Sequence, residues 1–272
     1  MGRAQFGARL RLLREDARLT GREMAARLGW AQSKVSRLEH GRQTATADDM
    51  AAWVDAVGGG PALRDDLMAD LQAMRFEYAS WQRQLRAGIA KRQKENVPLE
   101  RSALLLRSFA PQMIPGLLQT PDYARHVFGR LVSLHGTPND IEAGVRERLR
   151  RQEVLYEGSK RFRFLLTEAA LRYRICPPSV LRGQLDRLLA LTGLDNVELA
   201  ALPFTTTLPV VPSHGFFMLD DKLVLVELTG AELAFRDTAE IALYADVFKR
   251  MWDAAEHGEA ARVTVRNVMV EL

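Results

Sequence analysis

From Leu19 to Gly41 the small, branched and polar residues fall at intervals that suit two short helices joined by a tight turn. Thr20 is a good N-cap, and Glu23, three residues on, completes a capping box for a helix over 21–28 that buries Met24, Ala25 and Leu28. Gly29 ends it, because glycine enters the left-handed conformation of a helix stop at little cost. A further helix over about 32–39 turns Val35 and Leu38 inward, and Gly41 closes it. Before this pair, Phe6, Leu10, Leu13 and Ala17 form one apolar helical face. After it, a helix over about 46–57 begins at Thr46 and buries Met50, Trp53, Val54 and Val57.

Two short helices around a glycine turn inside a small bundle describe a helix-turn-helix. Counted from Gly21 as the first of twenty positions, Ala25 is fifth, Gly29 ninth, Val35 fifteenth and Leu38 eighteenth. The small Ala25 permits close helix approach, Gly29 permits the turn, and Val35 and Leu38 anchor the second helix. On these residues, together with Leu19-Thr20, Glu23-Met24 and Gln32 to Gly41, the segment resembles the DNA-binding domain of phage-repressor-like, xenobiotic-response-element regulators. The resemblance implies that helix 32–39 lies in the major groove, with bases read by Gln32, Ser33 and Arg37. It places Thr20, Lys34, Ser36, His40 and Arg42 at backbone-contact positions. Where that family often carries a phosphate-gripping Gln, this sequence has Gly21, so either Arg22 substitutes as a backbone contact or that anchor is missing. Glu39 reads as a structural partner for a basic neighbour. Charge runs the same way: residues 1–45 carry a net +6, 46–80 a net −5 and 81–101 a net +4. A basic segment suits phosphate contacts, although on charge alone a solvated face is the plainer explanation.

Gly58-Gly59-Gly60-Pro61 marks either an interdomain hinge or a helix stop and restart. Beyond it Leu63, Leu67, Leu71, Met74, Tyr78, Trp81 and Leu85 keep helical spacing, so one long amphipathic helix is expected over about 62–86, its seam available to a second subunit. The run Lys91-Arg92-Gln93-Lys94 reads as exposed. From Leu99 the pattern becomes mixed. Pro115-Gly116 forces a turn, and Thr120 caps a helix with Pro121 at its first position. Helices are expected over about 139–157, 179–191 and 237–256, and strands at 161–167, 197–202, 215–219 and 223–228. Asp220-Asp221-Lys222 is expected to turn a hairpin, and 260–272 is ambiguous.

Phe109-Ala110-Pro111, Ile114 to Arg125, Arg151-Gln152, Phe164 to Leu171, Gln184-Leu185, Asn196-Val197 and Pro203 resemble a domain of unknown function found in actinobacterial helix-turn-helix regulators described as antitoxin-like. Arginine supplies 32 of the 38 basic residues, as a GC-rich genome would dictate. That resemblance implies a small partner protein or a small-molecule effector, and no catalytic mechanism.

Chemistry-bearing patterns are scarce. The five histidines share no metal-ligand spacing with one another or with Cys176, the one cysteine, which also excludes an internal disulfide. No nucleophile elbow or phosphate loop is present. Asp220-Asp221, Glu168, Cys176 and the His214, Phe216 and Phe217 group each have a structural explanation. A 47% hydrophobic, 26% charged composition without a run of about 18 apolar residues, and without a signal-peptide core, points to a cytoplasmic globular protein, nucleoid-associated when bound to DNA.

The expected fold is mainly α with a mixed α/β C-terminal domain. It comprises a five-helix-type helix-turn-helix bundle over 1–80, a helical linker over 81–102, and a sensing, partner and dimerisation domain over 103–272. The expected function is a non-enzymatic, cofactor-free transcriptional regulator binding a partly palindromic operator in double-stranded DNA as a homodimer. An antitoxin-like protein–protein module and a small-molecule-sensing regulator are the alternatives.

Overall fold

The computed structural model describes residues 3–43, 45–80, 85 and 88–272. The chain forms two compact units, Met1–Glu77 and Tyr78–Leu272.

The first unit is five helices: Arg3–Asp16, Gly21–Leu28, Gln32–Glu39, Ala47–Ala56 and Pro61–Arg75. Their shared core contains Phe6, Leu10, Met24, Val35, Leu38, Met50, Trp53, Leu67 and Leu71. Each large side chain buried here contributes about 1.5–3 kcal/mol relative to exposure. Local sequence sets the helix ends. Thr20 and Glu23 form the capping box, Thr46 and Asp49 form a second, and Gly29 stops its helix at φ +64°. Gly58-Gly59-Gly60-Pro61 is a helix stop and restart: the Gly59 amide returns to the Val54 carbonyl at 2.9 Å, and Pro61 opens the next helix. Gly7 serves packing, since a Cβ there would lie 2.5 Å from the Glu39 carbonyl oxygen and 2.6 Å from that of Leu38.

The long 62–86 helix is corrected. It ends at Arg75, and strand β1, Phe76–Ser80, follows. Phe76 and Tyr78 carry strand propensity that helical spacing alone does not weigh. Residues 81–84 and 86 of that expected helix lie outside the described residues, as does residue 87 of the expected linker. The rest of the expected linker is helical from Ile89. The Ile89–Ser102 helix packs on the Ile141–Arg151 helix within the second unit.

Among the described residues, seven strands lie wholly in the second unit: β2 (Leu105–Ala110), β3 (Arg161–Thr167), β4 (Val197–Leu202), β5 (Phe216–Leu219), β6 (Leu223–Glu227), β7 (Ala231–Phe235) and β8 (Glu256–His257). Their spatial order is β7-β6-β5-β2-β3-β4-β8. The β2-β3-β4 centre is parallel, whereas β5, β6 and β7 form an antiparallel meander beside β2, and β8 is antiparallel to β4. The period-2 alternation of strands divides the core. Phe162, Phe164, Leu166 and Ala201 face the Pro178–Leu191 and Gly258–Val270 helices. Leu165, Ala200, Leu202 and Met218 face Ile241, Phe248 and Met251 of the Thr238–Asp253 helix. The ambiguous tail is therefore helical to Val270, and the 139–157 helix divides into Ile141–Arg151 and a 3-10 turn, Gln152–Tyr156.

The Ile89–Ser102 helix is held at both ends by distant side chains. The Asp140 carboxylate accepts from the Ile89 amide at 2.8 Å and the Ala90 amide at 3.0 Å. At the other end the buried Lys160 ammonium donates to the carbonyls of Arg101 at 2.6 Å and Ala103 at 2.7 Å. Anion at the N-terminus and cation at the C-terminus both complement the helix dipole.

Candidate nucleic-acid interface

The Gln32–Glu39 helix has one face in the core and one in solvent. Val35 and Leu38 are buried, while Gln32, Ser33, Ser36 and Arg37 are exposed. The Arg37 Nε donates to Gln43 Oε1 at 3.0 Å, which holds that guanidinium over the loop after the helix. The side chains of Gln32 and Ser33 have no protein partner among the described residues, nor do the exposed Arg22 and Arg42.

Other candidate contact residues are engaged with the protein. Thr20 accepts from the Glu23 amide, and the Glu23 carboxylate accepts from the Thr20 amide and hydroxyl, both at 2.7 Å. The Thr20 amide bond and its hydroxyl hold the Glu23 carboxyl below the usual glutamate range. His40 Nδ1 lies 2.8 Å from the Ser36 carbonyl oxygen and 3.5 Å from Ser36 Oγ, so the two residues form one exposed pair.

Lys34 is placed differently from the outward side chain the helical spacing gives. It is half-buried, its ammonium 2.7 Å from Asp49 Oδ1 and 3.7 Å from the centre of the Trp30 ring. An aromatic face and a carboxylate together fix the cation. Trp30 directly after the Gly29 turn is the sequence signal for this contact. Asp49 thus serves twice, capping the Ala47–Ala56 helix and neutralising Lys34. Burial raises its carboxyl, but the Lys34 ammonium and the Thr46 bonds outweigh that and leave it below the ordinary aspartate range.

Glu39 has the structural role expected of it. Its buried carboxylate accepts from Arg14 Nε at 2.6 Å and from the second guanidinium nitrogen at 3.1 Å. The remaining Arg14 terminal nitrogen donates to the Leu19 carbonyl at 2.6 Å. One arginine therefore joins the first helix, the loop before the second, and the C-terminal end of the third.

The residues weighed for chemistry in the second unit are held in structural roles. Glu168 accepts from Arg172 and from the Phe204 amide. Asp220 accepts from the Leu104 and Leu105 amides and turns the β5–β6 hairpin. His214 Nε2 lies 3.1 Å from the Tyr244 hydroxyl, and Cys176 is buried, its thiol pKa raised by that burial. Among the described residues no three His, Cys, Asp or Glu side chains could together hold a metal ion. Among the same residues no helix is long and apolar enough to cross a membrane.

A family model described as a helix-turn-helix domain matches residues 5–67. A second, described as a domain of unknown function (DUF5753), matches residues 93–267. No curated protein matches the chain. Among solved structures, NucT from Helicobacter pylori is 11% identical with a TM-score of 0.40, over 67% of this chain and 98% of that one. The archaeal chromatin protein TrmBL2 is 11% identical with a TM-score of 0.36, over 78% of this chain and 71% of that one. Both lie below the likeness of a shared fold. The 93–267 match takes in the larger part of the sequence, so the chain belongs to the DUF5753 family, with a helix-turn-helix domain at its N-terminal side.

Proposed function

We propose that this chain is a sequence-specific DNA-binding transcriptional regulator, with no catalytic step, that reads a partly palindromic operator as a homodimer and is modulated through its second unit. The observation that carries the reading is the Gln32–Glu39 helix of the helix-turn-helix domain, with Gln32, Ser33 and Arg37 exposed on one side and Val35 and Leu38 anchored on the other. Gln can pair bidentately with adenine and Arg with guanine in the major groove. Arg22 and Arg42, exposed and uncommitted, suit phosphate, and Thr20, Ser36 and His40 lie on the same short stretch of chain. Lys34 reaches phosphate only by leaving Asp49. A dimer reads two half-sites whose centres lie about one helical turn of DNA apart.

The test is fluorescence anisotropy with duplex from upstream of the protein's own gene against a scrambled duplex, at one salt concentration. Wild type should prefer the upstream duplex. Gln32→Ala and Arg37→Ala should each lose about 1–3 kcal/mol of that preference while keeping the native circular dichroism spectrum. Folded variants that discriminate as well as wild type would remove this helix from the interface.

A further inference from the structure

The second unit contains a cavity of about 290 Å³. One wall is the Ile89–Ser102 helix, which presents Arg92, Gln93, Asn96 and Glu100; the opposite walls include the Pro115–Gln119 turn, β5 and β6. Phe109, Phe128, Phe216, Phe217 and Leu225 give the cavity an apolar lining, and three guanidinium groups, of Arg92, Arg148 and Arg151, also reach it.

Two of the three arginines have carboxylates. Arg92 pairs with buried Glu232, and Arg151 Nε lies 2.9 Å from Glu100 Oε2. Arg148 has none within ion-pair distance among the described residues. It donates to the amide oxygens of Gln93, at 3.2 Å, and Gln119, and its Cζ stands 4.1 Å from the centre of the Phe128 ring. The same Gln93 oxygen also accepts from Arg151 at 2.8 Å. Amide oxygens carry no net charge, so no carboxylate contacts Arg148; the longer-range fields of Glu227 and Glu100 oppose burial and the second cation, Arg151, without outweighing them. Glu227 also lines the cavity, but it is exposed and pairs with no described cation. Burial, then the neighbouring Arg151, lower the Arg148 pKa to about 9, which leaves the group charged at neutral pH.

The surrounding structure holds this charge in place. A Cβ at residue 116 would stand 3.2 Å from Arg148 Cζ, so Gly116 leaves the space the guanidinium fills. Gln152 donates to the Gly116 carbonyl at 2.9 Å and the Gln119 carbonyl at 2.7 Å, and Gln119 donates to the Ile114 carbonyl at 2.7 Å. The Asn96 side-chain oxygen, on the same cavity wall, is buried without a hydrogen-bond partner. A guanidinium so prepared matches a carboxylate, whose two oxygens suit its planar donors. At about 290 Å³ the space stands at the small end of the roughly 300–1,000 Å³ range of ligand pockets.

We propose that this cavity binds a small organic monocarboxylate, its carboxylate on Arg148 and its apolar body against the phenylalanines. This deepens the modulation proposed above and depends on that reading only for its consequence. Binding is therefore measured without DNA, so that its failure and the failure of DNA recognition are separate results.

The full chain is titrated calorimetrically with phenylacetate, 2-phenylethanol and 2-phenylethylammonium, which share one apolar body and differ in charge. Phenylacetate should bind at least about tenfold more tightly than the alcohol, as one charge-assisted hydrogen bond allows, and the ammonium should bind most weakly. Arg148→Met should remove the carboxylate's advantage over the alcohol, and alcohol binding that persists shows the cavity intact. Gly116→Ala, which displaces the guanidinium without deleting it, should also weaken phenylacetate selectively, and covers the case in which Arg148→Met does not fold. Absence of phenylacetate binding, equal binding of acid and alcohol, or a carboxylate preference that survives displacement or removal of the guanidinium would overturn the assignment.

Discussion

Removing the Glu39 carboxylate should loosen the C-terminal end of the candidate recognition helix by an amount the Arg14 site sets. The Arg14 and Glu39 side chains are only 10% and 7% exposed. Breaking a buried ion pair by deleting one partner costs about 3–5 kcal/mol, because the other charge stays behind. In Glu39→Ala, Arg14 keeps its bond to the Leu19 carbonyl, and Glu15 stands 3.5 Å away but is 43% exposed. These residual partners put the expected cost at the lower end, about 3 kcal/mol. If the first unit opens as one body, that is a loss of about 150-fold in amide protection, at 1.4 kcal/mol per decade. Hydrogen exchange read by mass spectrometry on peptides spanning 3–16 and 32–43 of the intact chain measures it, with the Pro178–Leu191 peptide as internal control. Arg14→Met combined with Glu39→Met should return to within about 1 kcal/mol of wild type, since an apolar pair of similar volume removes the orphaned charge. Less than a fivefold change in Glu39→Ala, or a double variant as damaged as the single one, would refute the argument that the charge is what must be paired.

Two further predictions concern the same unit. Gly7→Ala brings a methyl group within 2.5 Å of a backbone oxygen that no side-chain rotation can move, so the first helix must shift; the overpacking should cost about 1–3 kcal/mol in chemical denaturation, and an unchanged midpoint would show the helices free to slide. Asp49 has its folded pKa below the ordinary aspartate value of 3.8. Its contribution is therefore present above that value and lost as pH falls through the lower folded one. Thermal melts of wild type should accordingly converge on those of Asp49→Asn only below pH 3.8, and convergence between pH 5 and 7 would contradict the pairing with Lys34.

What could be read from sequence depends on how far apart the determinants lie. The capping boxes at Thr20 and Thr46 and the hairpin at Asp220 are written within a few residues, and each stands where local chemistry puts it. Strand β2 leaves no clear trace in the sequence, because a central strand with Arg107 and the buried Ser108 in it lacks a clean alternation. Strand β7 is obscured for a related reason: Glu232 interrupts its apolar pattern, and the Arg92 that pairs with Glu232 is 140 residues away. Of the basic residues Arg146, Arg148, Arg150 and Arg151 on the expected 139–157 helix, Arg148 and Arg151 line the cavity. A signal for that was available: Arg148 continues the face of buried Gly144 and Val145 at helical spacing. The Arg148 partners Gln93 and Gln119 could not be found in the same way, since pairings across 55 and 29 residues leave no periodic trace.

The two clamps on the Ile89–Ser102 helix also set an order of assembly. Its N-terminal amides wait for Asp140, fifty residues downstream, and its last carbonyls wait for Lys160, 57 residues beyond Ala103. Until both have left the ribosome, a 14-residue segment with Pro98 inside it has little reason to be helical. The five-helix unit ahead of it closes its own core from residues before position 72 and can fold first. During synthesis, the helix carrying Arg92, Gln93 and Asn96 is thus completed only when the chain has been made as far as the start of β3. A chain stopped before Lys160 would hold the helix-turn-helix in finished form and the cavity wall still unmade.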